Sequence, residues 1–292
     1  MNATTSTPAF REMATGLRFP EGPVAMPDGS VVLVEIERRT LSRVTADGKV
    51  RVIASLGGGP NGAAMGPGGK IYVTNNGGLK FVERPGKLFP VGQADDYTTG
   101  SIQVVDPDTG KFDTLYDACD GRRLCGPNDL VFDGAGGFWF TDLGKTRERD
   151  ADRGAVYYAK ADGSSIREAI FPLERPNGIG LSPDERTLYV VETPTARCWA
   201  FSLSAPGQIE SANGPYRGEK GASWSVSAAT RCSTRSPSTR RVTSAWRRSS
   251  AARSATSGPT AAASINSSCP TRWSPMSASA ARTCVPPTPR CR

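Results

Sequence analysis

The sequence predicts an all-β fold, a β-propeller, joined to an irregular basic C-terminal tract. Three observations carry this. Four segments open alike, beginning at Phe19, Gly59, Gly126 and Arg175. Each is a Pro followed by Glu or Asn, then Gly or Asp, a short run of small or apolar residues, a turn and a β-rich run. The prolines, Pro20, Pro60, Pro127 and Pro176, are spaced by 40, 67 and 49 residues. Repeats of about 40–50 residues that hold several strands each mark a propeller.

The elements follow in order. "FPEGPVAMPDGSVVLVEI" reads as two strands about Pro27-Asp28-Gly29, and "TLSRVTADGKVRVIAS" (40–55) as two more about Asp47-Gly48. Period-two alternation broken by Asp-Gly is the signature of an antiparallel hairpin. "GPNGAAMGPGGKIYVTNN" opens the second unit and "GSIQVVDPDTGKFDTLYD" (100–117) closes it. Between them, residues 79–99 are an insertion, expected to be a loop over one face. "GPNDLVFDGAGGFWFTDLG" and "GAVYYAKADGSSIREAI" (154–170) make the third unit. "RPNGIGLSPDERTLYVVET" opens a fourth, which lacks a clear last strand. About four blades are therefore recognisable over residues 19–210, with residues 1–18 as an N-terminal extension and 19–219 as a partial propeller.

The net charge of +8 conceals two compositions. Residues 1–219 carry 24 Lys and Arg against all 28 acids, a balance of −4; residues 220–292 carry Lys220 and 11 Arg and no acid, a balance of +12. The chain has no histidine, which excludes His-based triads, His general bases and His-ligated metals within it. Its seven cysteines show no CxxC spacing. The first 16 residues contain no apolar signal core, and the longest apolar runs are too short to span a bilayer. The expectation is a cytoplasmic protein with free thiols and no membrane partner.

In a propeller the innermost strand of each blade lines the central channel. Residues that start those strands, Glu21, Asn61, Asn128 and Asn177, then converge on one axial site. Oxygen ligands without His or Cys suit a hard divalent cation such as Ca²⁺ or Mg²⁺. A single Pro-Asn-Gly reads first as a turn cap, and Asn61 also fits that role. Four matched positions, one of them Glu, shift the reading toward a site.

The motifs "FPEGP", "GPNDLVFD…GGFWFTDLG" and "RPNGIGLSPDERTLYVVET" resemble the SMP-30/gluconolactonase/LRE family of six-bladed propellers, over roughly residues 15–210. The resemblance implies a metal-dependent lactonase acting on sugar-acid lactones such as gluconolactone, with one divalent cation, Ca²⁺ first, and Zn²⁺, Mn²⁺ or Mg²⁺ as alternatives. It implies Glu21, Asn128 and Asn177 as metal ligands, and Asn128 also near substrate; Asn61 joins it there as a substrate-side residue of the same inner-strand set. In some members an arginine two residues before that asparagine touches the sugar acid; here the position is Gly126. The family's catalytic aspartate comes from a later blade, and this chain has no Asp after Asp184, so no catalytic residue is carried over.

Residues 220–292 have no strand alternation and are dominated by Ser, Arg, Ala, Thr and Pro. Such a composition cannot bury enough apolar surface to offset ordering entropy. Trp246 beside Arg247 and Arg248 fits a basic nucleic-acid arm, but the arginines are scattered with almost no Lys, and the abrupt change of composition points instead to a shift of reading frame near residues 212–222, with no nucleic-acid partner expected. It removes the last blades and impairs the enzyme. Two other function classes share the blade pattern: a non-catalytic binding scaffold and a strictosidine-synthase-like propeller.

Overall fold

The computed structural model describes residues 11–210 and the backbone of 224–226. The first blade is β1 (Pro20–Ala25), β2 (Val31–Glu35), β3 (Thr40–Val44) and β4 (Val50–Ser55), an antiparallel meander in that order. Its turns are the ones the sequence announces. Gly29 N donates to Met26 O at 3.0 Å and Gly48 N to Thr45 O at 2.8 Å. Both glycines have positive φ, 78° and 87°, which a residue with a Cβ tolerates poorly.

The second blade is β5 (Pro60–Met65), β6 (Ile71–Asn75), β9 (Ser101–Val105) and β10 (Phe112–Tyr116). The insertion between β6 and β9 is not the expected loop. It is a separate two-stranded hairpin, β7 (Leu79–Arg84) and β8 (Lys87–Gln93), turning at Pro85-Gly86. A short ribbon, β11 (Ala118–Cys119) with β12 (Arg122–Arg123), leads to the third blade. That blade is β13 (Pro127–Phe132), β14 (Gly137–Asp142), β15 (Gly154–Lys160) and β16 (Ile166–Leu173).

The fourth blade is β17 (Pro176–Leu181), β18 (Thr187–Glu192) and β19 (Arg197–Ala205), extended by β20 (Gln208–Ile209). Its outer strand is supplied by β21 (Trp224–Val226), whose Ser225 pairs with Trp199. The sequence reading finds no clear last strand for this blade; the structure sets the three residues of β21 at that edge. The 219 boundary, and the tract beyond 226 with Trp246, Arg247 and Arg248, lie outside the described residues. Of the N-terminal extension, residues 11–18 are described and lie against the first blade; Arg11 Nη2 donates to Ala46 O at 2.8 Å.

The core lies between blades rather than within them. Val32, Val34, Ile71 and Val73 fill the seam between blades 1 and 2. Tyr72, Phe132, Phe138 and Phe140 fill the next, and Trp139, Tyr158, Ile179, Val190 and Trp199 the last. Alternate side chains of β14 thus serve two cores, which is why "GFWFTD" is apolar almost without interruption. Tyr72 meets Phe132 edge to face, centroids 4.9 Å apart at 82°, a favoured aromatic geometry. Among the described residues the four sheets form no closed ring, and no helix is long and apolar enough to cross a membrane.

Candidate functional site

Each blade's first strand begins on a proline that pairs with the last residue of the second strand: Pro20 with Glu35, Pro60 with Asn75, Pro127 with Asp142, Pro176 with Glu192. Those four partners are buried acceptors. Glu35 accepts from Arg18 N at 2.7 Å, and Asn75 from Gly59 N at 2.7 Å. Asp142 accepts from Cys125 N at 2.8 Å and Gly126 N at 2.7 Å, and Glu192 from Glu174 N at 2.7 Å. In every blade the acceptor therefore catches the chain one or two residues before the proline and fixes how the inner strand begins.

Immediately after the proline the pairing slips. The register shifts between Glu21 and Val24, Pro60 and Gly62, Pro127 and Leu130, and Pro176 and Ile179. Bulges re-aim side chains; here they carry Asn61, Asn128 and Asn177, while Glu21, still paired with Val34, stands at the start of its bulge. All four predicted residues thus occupy one structural position in four adjacent inner strands. Two threonines lock that position across the seams. Thr74 Oγ1 accepts from Gly62 N at 2.8 Å and donates to Asn128 O at 2.6 Å. Thr141 Oγ1 accepts from Asp129 N at 3.2 Å and donates to Asn177 O at 2.6 Å. The strands approach closely enough that a Cβ on Gly62 would lie 2.5 Å from Asn128 O.

The predicted side chains are idle in the fold's own bonding. Among the described residues, Asn128 is buried and Asn177 half-buried, and the structure gives neither side chain a hydrogen-bond partner. Asn61 is buried and its Nδ2 has no partner.

Asp129, which sequence reasoning missed, stands beside Asn128 where the other blades carry Gly22, Gly62 and Gly178. Its Oδ1 accepts from Leu130 N at 2.9 Å and its Oδ2 from Ile179 N at 3.3 Å. Burial pushes its carboxyl up to about 6, against those two bonds. Glu21 is pushed up to about 7, by burial first and by the negative charge of Asp129 second. These carboxylates come from β1 and β13, with β5 between, so the influence of Asp129 on Glu21 reaches across an intervening strand. The available signal was the single Asp in "GPND" where its counterparts read Gly.

The donor set fits a hard cation. Burial raises the cost of ionising both carboxyls, Asp129 adds to that of Glu21, and a bound positive ion would offset these costs. Neutral amide oxygens stand at the same level of the neighbouring strands. Among the described residues no group of three or more His, Cys, Asp or Glu is gathered for a metal, at these strands or elsewhere, so a cation here would rest on two carboxylates and on amide oxygens. Gly126 is closely packed: a Cβ there would lie 2.7 Å from Gly144 O.

Comparison with known proteins agrees with this architecture. Residues 19–224 match the family model described as the SMP-30/Gluconolactonase/LRE-like region. A gluconolactonase of Zymomonas mobilis is 30% identical over 226 residues, 69% of this chain and 57% of that protein. Lactonase drp35 of Staphylococcus saprophyticus is 36% identical over 127 residues, 43% of this chain and 38% of its own. The solved structure of a gluconolactonase from Xanthomonas campestris superposes with a TM-score of 0.52 at 26% identity, covering 66% of this chain and 60% of that one. Regucalcin of Agrobacterium tumefaciens, a calcium-binding protein, shares the fold at a TM-score of 0.50 and 19% identity, over 70% of this chain and 63% of that one. The chain thus spans less than two thirds of each of these relatives.

Proposed function

The chain belongs to the SMP-30/gluconolactonase/LRE-like family, and from that membership we propose that it is a lactonase-type hydrolase of the cytoplasm, opening sugar-acid lactones with one divalent cation, Ca²⁺ first. The observation that carries the reading is the pair Glu21 and Asp129, two carboxyls pushed up to about 7 and about 6 on inner strands that also present Asn128 and Asn177. Glu21, Asp129 and the amide oxygens of Asn128 and Asn177 would hold the cation. A bound divalent cation polarises the lactone carbonyl and lowers the pKa of water.

Glu21 and Asp129 supply the charge that retains the ion, and the Thr74 and Thr141 hydroxyls keep the two asparagines in register. Asn61, with its buried unpartnered Nδ2, supplies a donor toward the sugar hydroxyls. No residue of this chain after Asp184 supplies an aspartate for proton transfer, so the reading includes impaired turnover.

The test is a calorimetric Ca²⁺ titration of the full chain with Glu21→Gln and Asn177→Leu, alongside gluconolactone hydrolysis. Both substitutions are expected to weaken Ca²⁺ binding by tenfold or more, about 1.4 kcal/mol. Unchanged binding in Glu21→Gln rejects the site, and a non-catalytic scaffold becomes the better reading.

A further inference from the structure

The insertion of blade 2 is anchored on both neighbouring blades. Toward blade 1, the Phe81 ring of β7 packs on Phe19, centroids 5.1 Å apart. Two residues on, Glu83 Oε2 lies 3.7 Å from Arg18 Nη1, while Arg18 Nε and Nη2 donate to Glu37. After β8, the Asp96 carboxylate accepts from Arg39 Nη1 and Nη2 at 2.5 and 2.9 Å. Toward blade 3, the Gly78 carbonyl, just before β7, accepts from Lys145 Nζ at 2.9 Å, and Tyr97 Oη donates to Cys125 O at 2.8 Å. The Tyr97 ring also lies under Lys145 Nζ, 4.6 Å from its centroid. Asp96 and Tyr97 are consecutive, so one dipeptide ties blade 1 to blade 3.

Several of these anchors fall where the carboxylate-bearing strands begin. Arg18 and Phe19 stand immediately before Pro20 and Glu21; Cys125 stands two residues before Pro127, ahead of Asn128 and Asp129. Phe19 has a φ of 58°, a left-handed conformation that a residue with a Cβ enters at a cost and that its surroundings must hold. Its carbonyl accepts from Ile36 N at 3.1 Å, and its ring meets Phe81. β1 and β13 are each packed on β5, and among the described residues the sheets form no closed ring. The spacing of Glu21 from Asp129 therefore passes through two seams in series, and the insertion is a direct link across both.

We propose that residues 78–97 are a strap that sets the separation of Glu21 and Asp129 for one divalent cation, with Phe81 and Tyr97 as positioning residues at its blade 1 and blade 3 ends. The statement rests on the cation reading of that site. A strap acts only while both ends are fastened. Releasing either end frees the same separation, so the two ends are energetically coupled although they grip different blades. By linkage, a cation that needs the strap in place also holds it in place.

The experiment titrates the full chain with Ca²⁺ as wild type, Phe81→Ala, Tyr97→Phe and the double variant, with Phe81→Leu as the conservative control. Tyr97→Phe removes only the hydroxyl that reaches Cys125 O. Each single variant is expected to weaken Ca²⁺ binding about fivefold, the lower end of coupling between sites, and Phe81→Leu should keep most of the affinity. The double variant should also lose about fivefold in total, rather than the about 25-fold of two independent effects. Amide exchange across residues 79–93 should slow when Ca²⁺ is added to wild type and stay unchanged in Glu21→Gln, and denaturant midpoints show that each variant is folded. Wild-type affinity in folded Phe81→Ala and Tyr97→Phe, a double variant weakened by about 25-fold, or exchange that ignores Ca²⁺ in a wild type that binds it overturns the strap and leaves the cation site standing. A wild type that binds no Ca²⁺ rejects the cation reading and the strap with it.

Discussion

The Thr141 hydroxyl donates to the carbonyl oxygen of Asn177 at 2.6 Å, from the second strand of blade 3 to the first strand of blade 4. Thr74 and Asn128 repeat the bond one seam earlier. Blade 1 has Val34 at the equivalent place, one residue before its Glu35 cap, so a valine fits this position sterically. Thr141→Val and Thr74→Val are therefore expected to cost about 2–3 kcal/mol each, since each removes two hydrogen bonds, one accepted and one donated by the hydroxyl. Denaturant midpoints measure that cost. Ca²⁺ affinity should fall as well, since each bond holds a strand that carries an asparagine of the proposed cation site. A Thr141→Val chain with unchanged midpoint and affinity would show that the seam is held by packing alone.

Asp142 accepts three backbone N–H bonds, from Cys125, Gly126 and Gly144. Asp142→Ala would leave three donors without partners and is expected to destabilise by about 3 kcal/mol or more. Asp142→Asn should cost less, because Asn75 performs the same capping in blade 2 with a single amide oxygen toward Gly59 N and Gly77 N. Thermal unfolding of the two variants side by side tests the ranking, and an alanine variant no worse than the asparagine one would refute it.

Glu21 and Asp129 give the metal-free protein a pH dependence of definite sign. Their ordinary pKa values are 4.5 and 3.8, and the native fold raises them to about 7 and about 6. Between roughly pH 4 and 7 the native state thus holds protons that the unfolded chain has released, and stability falls as pH rises through that window. The contribution is complete below about pH 4 and gone above about pH 7. Relative to Glu21→Gln/Asp129→Asn, the wild-type melting temperature should drop from pH 5 to pH 7.5 without metal, and Ca²⁺ should remove much of the drop. Parallel pH profiles for the two proteins would contradict the assignment.

Turnover bears on the missing aspartate. A version of the gene restored to a frame that encodes a Pro-Asp-Gly blade is expected to hydrolyse gluconolactone about 10²–10⁴-fold faster than the 292-residue chain, the usual worth of a general base. Stopped-flow or pH-stat rates with added Ca²⁺, Zn²⁺ or Mn²⁺ make the comparison. Similar rates would mean that another residue of this chain takes the proton.

The sequence by itself determined the blades. Pro-Glu-Gly, Pro-Asn-Gly and Pro-Asn-Asp openers, Asp-Gly turns and period-two alternation are local signals. A turn's φ and a strand's alternation are set within a few residues, so β1 to β4, β13 to β16 and the shared position of Glu21, Asn61, Asn128 and Asn177 were all legible. The tertiary structure decided the rest. The bulge after each proline breaks the two-residue period, so the facing of Asp129 could not be read from alternation. Its effect on Glu21 spans 108 positions of sequence and an intervening strand. The hairpin in 79–93, the pairing of β21 with β19, and the meeting of Lys145 with Asn76 across 69 residues likewise depend on which blade packs on which. Contacts of that kind are chosen by burial between sheets, a property of the stacked blades and of no single segment.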